Sequence, residues 1–332
     1  MTGSSGMAGQ DRKCVLLTGG TGFVGRRLAP RLARLYPDHD LKVLTRSADE
    51  PALDGWEMIP ADLADPASIL DLVASCRPST VVHLAAQASV GKALGGSAEA
   101  TWTVNLLGSF NLARALASHS PACTLLFSST GEVYGHSFTS GPARETSPAA
   151  PMNTYALTKL AAERVFFDLL PPSATIVIAR AFNHSGAGQD DRFVLPSFAN
   201  QVARAEAGLT PPVVKVGNLE AKRDFLHVDD VVDAYVQLLT AAPTLQPQTI
   251  VNVASGTTWP VRAMLDRLLA LASIPISVEQ DPARMRPSDI PEAAADISRI
   301  KSLIDWAPRR PIDQILAELL DWQRRQVGPS SI

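Results

Sequence analysis

Apolar and polar positions follow two rhythms along this chain. Compact apolar runs at 14–17, 41–44, 81–84, 124–127, 174–179 and 249–253 read as strands buried on both faces. Between them apolar residues recur three and four apart, as at Leu28, Leu32 and Leu35. The same helical spacing returns in a long stretch holding Asn105 and Asn111, from Tyr155 to about Leu170, at 193–208 and at 229–239. Strand and helix alternate from the start, which calls for a parallel sheet with helices on both faces. The expected fold class is α/β: a Rossmann-like, doubly wound parallel sheet of about seven strands with a smaller α/β C-terminal substrate domain.

After residue 180 the texture changes. Residues 181–189 are polar and glycine-rich, a loop beyond a strand's C-terminal end, where open α/β sheets bind ligands. Residues 213–216 read as a strand, 217–225 as a turn carrying cations, and 284–289 as a proline-punctuated loop. The expected division is a flexible lead or expression remnant at 1–12, a dinucleotide-binding domain at 13–180 to which 225–254 returns, and a substrate-binding domain built from 181–224 and 255–328. Met7 is an alternative start.

Composition sets limits on partners. With 332 residues, 46% hydrophobic and 19% charged, the chain can bury a full core. A formal charge of −3 indicates neither a nucleic-acid footprint nor a membrane-surface patch, so an anionic ligand must be met by locally placed cations. No apolar stretch is long and charge-free enough to span a bilayer, and the N-terminus lacks a basic segment followed by an apolar one; the expected setting is cytoplasmic. Cys14, Cys76 and Cys123 show no paired spacing for zinc or redox chemistry, so they read as buried hydrophobes in a reducing compartment and no metal is expected.

The sequence Thr-Gly-Gly-Thr-Gly-Phe-Val-Gly at 18–25 joins the first strand to the first helix. Its glycines allow a tight turn, close approach of backbone to a pyrophosphate at the helix N-terminus, and close packing of helix on strand. Gly19, Thr21, Gly22, Phe23, Val24 and Gly25 are therefore the candidate dinucleotide cradle, with a ligand-free glycine turn as the plain alternative. The second strand ends in Thr45-Arg46-Ser47, where an NAD enzyme often sets an acid against the ribose diol; Arg46 suits a 2′-phosphate and points to NADP(H), against a solvated loop arginine. Asp62, with Leu63, follows the third strand and either holds the adenine edge or caps a helix. The fourth strand ends in Leu84-Ala85-Ala86-Gln87, whose small residues let backbone approach a nicotinamide or phosphate; His83 within it reads as a satisfied core histidine.

Ser128-Ser129-Thr130-Gly131-Glu132 follows the fifth strand, and Tyr155 and Lys159 open the next helix. Four residues apart, Tyr155 and Lys159 share one face. An ammonium at roughly 4 Å and an effective dielectric of about 20 would lower the phenol by up to ~4 kcal/mol, about three pH units from its ordinary value of ~10. That allows proton exchange near neutral pH, with the Thr130 hydroxyl on the same reacting oxygen. A bare Tyr-x-x-x-Lys pair is otherwise a snorkelling surface pair, and the glycine turn and hydroxyl-rich strand end favour the catalytic reading.

Together these motifs resemble the extended short-chain dehydrogenase/reductase superfamily over nearly the whole chain after Lys13. Arg180-Ala181-Phe182-Asn183-His184 with Gly188-Gln189, the run from Val216 to Phe225, and Arg286-Pro287-Ser288-Asp289-Ile290-Pro291 are similar to the GDP-mannose 4,6-dehydratases and, more closely, the GDP-4-keto-6-deoxy-D-mannose reductases. The resemblance implies a GDP-sugar held between two domains, with Asn183 on the sugar or its diphosphate, Arg223 on the diphosphate, and Arg286 or Asp289 at the nucleoside end. It also implies a homodimer through two helices of the cofactor domain. Gln87 and Ser129 are placed on the substrate side. A forked arginine independently suits a diphosphate, an ion pair with Glu220 or Asp224 being the alternative for Arg223.

In a reductase, hydride from NADPH reaches a sugar carbonyl carbon while Tyr155 protonates the oxygen, Thr130 hydrogen-bonds it and Lys159 tunes the phenol. A 4,6-dehydratase also needs a base for the C5 proton, which Glu132 offers unless its role is structural, and a partner for the departing C6 hydroxyl, which Gly131 lacks. The expectation is reduction of GDP-4-keto-6-deoxy-D-mannose to GDP-D-rhamnose, or to its C4 epimer GDP-6-deoxy-D-talose. The alternatives are a GDP-mannose 4,6-dehydratase and a catalytically silent NADP-binding sensor.

Overall fold

A computed structural model describes residues 12–47, 49–87, 98–285 and 290–328. The first part of the chain runs β1 (Cys14–Thr18), α1 (Gly25–Leu35), β2 (Asp40–Thr45), β3 (Glu57–Pro60), α2 (Pro66–Cys76), β4 (Thr80–His83), α3 (Ala98–Thr101), a π-helical stretch (Trp102–Leu107), α4 (Gly108–His119), β5 (Thr124–Thr130), a 3-10 stretch (Gly131–Ser140), α5 (Thr154–Leu169) and β6 (Thr175–Ala181). It continues through β7 (Asn183–Ser185), α6 (Val194–Glu206), β8 (Val213–Val216), β9 (Lys222–His227), α7 (Val228–Ala241), β10 (Gln248–Val253), β11 (Thr258–Pro260), α8 (Val261–Leu269), β12 (Ser277–Gln280), β13 (Glu292–Ala293), α9 (Ser298–Leu303) and α10 (Ile312–Val327).

Seven parallel strands form the large sheet in the order β10-β6-β5-β4-β1-β2-β3. Strand order reverses between β1 and β4, so the carboxyl ends of these two strands open the crevice in which such sheets bind ligands. Alternate residues serve opposite faces. Val15, Leu17, Val82 and Leu126 pack with Leu28 and Leu32 of α1 and Val231 of α7. Leu16, Val81, Leu125 and Phe127 pack with Leu112 of α4 and Phe166 of α5. A separate core joins α6, α8 and α10 to β8 through Leu195, Val214, Met264 and Leu316.

Two expectations need correction. Residues 183–185, read within a loop, and 222–225, read within a turn, belong to strands β7 and β9, which pair in parallel with Asn183 opposite Phe225 and Ser185 opposite His227. Arg223 is thus held on a strand, where β9 also pairs antiparallel with β11 and parallel with β13. The partners are distant in sequence, so the glycines and charges nearby carried the only local signal. The helix holding Asn105 and Asn111 is likewise interrupted, its Trp102–Leu107 portion being π-helical. Residues 1–11 lie outside the described residues, whereas Arg12 donates to the Asp38 carbonyl at 3.1 Å.

Candidate active site

The crevice opens on the glycine turn. Gly19 has φ +70, and a side chain there would put Cβ 2.7 Å from the Ala85 nitrogen; at Gly25, Cβ would lie 2.2 Å from the Gly19 carbonyl oxygen. Helix α1 starts without a capping side chain and without an acid in its first turn, so no negative side chain there competes with an anion for the positive end of the helix. The end of β4 lies against this turn, Leu84 N–H donating to the Thr18 carbonyl at 3.1 Å and Ala85 N–H to the Thr18 hydroxyl at 3.2 Å. A backbone cradle that side chains would fill, at an uncapped helix, fits the pyrophosphate of a dinucleotide. Thr21, Gly22, Phe23 and Val24 line it, half-buried or exposed. The Phe23 ring lies parallel to that of His184, centroids 6.3 Å apart. His184, beyond β6, was not singled out from sequence; its place beside the Asn183 motif was the available signal.

Arg46 is exposed at the end of β2. Asp62 is exposed too and accepts the Ala64 N–H at 2.9 Å, while the cap of α2 is Asp65, so the helix-cap alternative for Asp62 does not hold. Leu63 is buried and its carbonyl accepts from Asn111 at 2.9 Å, a structural engagement. Ala86 is half-buried beside Gln87, whose N–H and carbonyl are both held by the Asn105 amide, at 2.7 and 3.2 Å. Asn105 also donates to Thr158 of α5 at 3.1 Å, so the π-helical stretch ties the crevice floor to α5. His83 is fully buried, bridged to Thr18 at 2.6 Å and Ser109 at 3.2 Å, and burial followed by the Lys159 charge pushes it down to about 3, a neutral core group.

Thr130, Glu132 and Tyr155 meet at the mouth of the crevice. Burial and then the Glu132 charge raise the Tyr155 phenol, while a hydrogen bond from the Thr130 side chain opposes the rise. The Thr130 oxygen also accepts the Glu132 N–H at 3.2 Å, and the Glu132 carboxylate accepts from Asn153, the cap of α5, at 2.8 Å. The expected lysine effect is absent: the Lys159 ammonium lies 4.1 Å from the centre of the Phe127 ring, and the groups acting on Tyr155 are Thr130, Glu132 and Tyr235. Sharing a helix face does not mean sharing a depth; Lys159 sits one turn further along, where α5 packs on the sheet. Tyr155 therefore stays protonated at neutral pH.

Ser129 is a second correction. It is buried and its hydroxyl donates to Glu163 beneath the site, away from a substrate. Ser128, two residues before Thr130 and on its side of β5, bonds the Tyr235 hydroxyl at 2.8 Å. The period-two rule carried that signal, and the sequence reading missed both Ser128 and Tyr235.

Burial pushes Lys159 down to about 7, with Glu163 opposing, against an ordinary value of 10.5. Between these values the unfolded chain binds more protons, so stability falls as pH drops from about 10 to 7, and the full penalty persists below. Lys159→Met should therefore raise Tm at pH 6, by up to a few kcal/mol of stability, with the gain shrinking toward pH 10. Thermal melts of both proteins at the two pH values check this, and a pH-independent difference would remove burial as its cause.

On the substrate side Asn183 and Arg223 come from the paired strands β7 and β9. Arg223 lies half-buried in the field of Glu132 and donates to the Lys222 carbonyl at 2.7 Å. Of the alternative partners, Glu220 faces Arg262 at 3.6 Å, and Asp224 accepts the Ser255 and Gly256 N–H groups at 2.8 and 2.7 Å. Arg286 and Asp289 lie outside the described residues. Among the described residues no group of three His, Cys, Asp or Glu is placed to hold a metal ion, and no helix is long and apolar enough to cross a membrane.

The profile of the family described as GDP-mannose 4,6 dehydratase matches residues 16–319. GDP-6-deoxy-D-mannose reductase of Pseudomonas aeruginosa is 35% identical over 318 residues, 94% of this chain and 97% of that protein. GDP-6-deoxy-D-talose 4-dehydrogenase of Aggregatibacter actinomycetemcomitans is 25% identical, covering 87% of this chain and 90% of its own length. The solved structure of RMD from Pseudomonas aeruginosa complexed with NADPH superposes with a TM-score of 0.79 at 32% identity, covering 95% of this chain and 99% of that one.

Proposed function

This chain belongs to the GDP-mannose 4,6 dehydratase family of extended short-chain dehydrogenases/reductases, and from that premise we propose that it reduces the C4 ketone of GDP-4-keto-6-deoxy-D-mannose. The glycine turn would hold NADPH, with Arg46 at the end of β2 available to its 2′-phosphate, and the cofactor would supply the hydride. The observation that carries the reading is the meeting of the Tyr155 phenol, from α5, with the Thr130 side chain at the end of β5: ketone reduction needs an acid at the carbonyl oxygen, and a phenol is in its acid form at neutral pH. Thr130 orients the same oxygen, and Lys159 lies one turn further along α5 over the Phe127 ring. Arg223 offers a forked cation for the diphosphate, with Asn183 on the neighbouring strand for the sugar.

A dehydratase is the competing reading, favoured by Glu132 beside Tyr155. Against it stands the packing at Gly131, where an added Cβ would lie 2.7 Å from the Phe182 ring. No side chain fits there to assist a departing C6 hydroxyl. The product is GDP-D-rhamnose, with GDP-6-deoxy-D-talose the outcome if the other sugar face meets the cofactor. The protein works in the cytoplasm as a homodimer; Trp102, Leu107, Phe110 and Leu157 leave large apolar side chains exposed on α4, its π-helical lead-in and α5, a surface suited to a second copy. Sedimentation that returned only monomer would remove that assembly.

The decisive assay has two arms: GDP-mannose alone, and the 4-keto sugar with NADPH. Loss of NADPH absorbance in the second, with proton NMR of the product giving its C4 configuration, is expected. Keto-sugar formation in the first would replace reductase by dehydratase.

A further inference from the structure

The turn after β2 carries an acid, Glu50, that the catalytic reading leaves unused. The Glu50 carboxylate accepts from the Thr21 hydroxyl in the glycine turn and from the Arg46 N–H at 3.0 Å. The turn is closed by the Glu50 N–H on the Ser47 carbonyl at 3.4 Å. The Thr21 hydrogen bond first, with the Arg46 N–H and charge after it, holds this carboxylate below its ordinary range, so it is an anion at neutral pH. A hydroxyl, a backbone N–H and an adjacent guanidinium are thus already gathered around one negative charge.

Those three donors suit a phosphate monoester. A dinucleotide laid along the glycine turn puts its adenosine ribose at the end of β2, so the anion that Glu50 supplies stands where the ribose 2′ substituent arrives. We propose that Glu50 is an internal occupant of the 2′-phosphate pocket, displaced when NADPH binds, and that it thereby sets the preference between NADPH and NADH. A 2′-phosphate carries about −1.5 to −2 charges and cannot share these donors with a carboxylate, whereas a ribose 2′-hydroxyl can donate to the carboxylate in place. Glu50 is half-buried in a short surface turn, so it has room to swing out. Its charge weakens NADPH and supports NADH, narrowing a preference that Arg46 alone would make wide.

The inference rests on the nicotinamide-cofactor reading, and the test separates the two. Calorimetry with adenosine 2′,5′-bisphosphate and 5′-AMP isolates the 2′-phosphate, and fluorescence titration with NADPH and NADH extends it to whole cofactors. Glu50→Gln should tighten the bisphosphate and NADPH about tenfold, the scale on which a neighbouring like charge acts, and weaken 5′-AMP and NADH together, whose free 2′-hydroxyl loses its charged acceptor. Arg46→Ala should weaken only the 2′-phosphorylated probes. If Glu50→Gln leaves the ratio of bisphosphate to 5′-AMP affinity unchanged, or weakens both because the acid merely holds the turn, the proposal fails. A wild-type protein that binds neither NADPH nor NADH would instead overturn the cofactor reading.

Discussion

Tyr155→Phe is expected to lower kcat for ketone reduction by two to four orders of magnitude, the usual contribution of a positioned acid, while moving KM for the GDP-sugar by less than about threefold. The substitution removes one oxygen from a ring that keeps its packing. In the proposed reduction that oxygen is the proton source, and Thr130 alone would leave the developing alkoxide with a hydrogen bond but no proton. Burial and Glu132 hold the phenol above its ordinary value, so the wild-type kcat should not fall between pH 7 and 9 for want of the acid form. Glu132→Gln removes the charge that raises the phenol and keeps most of the hydrogen-bonding capacity toward Asn153, so any alkaline limb should move to lower pH. Single-turnover measurements with pre-bound NADPH would separate the chemical step from product release. A loss of less than tenfold in Tyr155→Phe would mean that the proton comes from elsewhere, and Glu132 would be the first group to examine.

How far the sequence spoke depended on how local the physics was. The strand, glycine turn and helix at 14–35 were legible because apolar period, turn chemistry and order all agree within one short window. The same holds for alternation into a doubly wound sheet. Residues 222–227 were not legible, because β9 exists through pairing with β7, β11 and β13, none of which is its neighbour in the chain. At the site, spacing gave the face but not the depth: Tyr155 and Lys159 lie on one side of α5, yet the ammonium reaches Phe127. Ser129 was chosen over Ser128 although strand parity ties Ser128 to Thr130. Glu50 gave no signal at all, since an acid in a polar turn looks like any solvated residue until the fold brings Thr21 to it.

The other large effect lies beneath the site. Glu163→Gln should destabilise the protein by roughly 3 to 5 kcal/mol, a drop in Tm on the order of 10 °C, because it leaves the Arg180 guanidinium without its counter-charge. Both side chains are buried, 4% exposed for Arg180 and 3% for Glu163, and they meet at 3.1 and 2.7 Å in a forked pair. Burial works against the Arg180 charge, but the hydrogen bonds and charge of Glu163 outweigh it and hold the guanidinium above its ordinary range. The guanidinium carbon lies 4.8 Å from the centre of the Tyr134 ring, and Arg180 Nη1 lacks a hydrogen-bond partner among the described residues, so the guanidinium relies on the carboxylate for its counter-charge. The pair joins α5, which carries Tyr155 and Lys159, to β6 and, through the Ser129 hydroxyl, to β5. Replacing both members with apolar residues of similar size, Glu163→Leu with Arg180→Met, should recover most of the loss, since the penalty comes from one stranded charge rather than from the pair's net attraction. Chemical denaturation of the single and double variants measures this directly. A single variant within about 1 kcal/mol of wild type, or a double variant no more stable than the sum of its parts, would show that water reaches this guanidinium and that the joint between α5 and the sheet is held by packing alone.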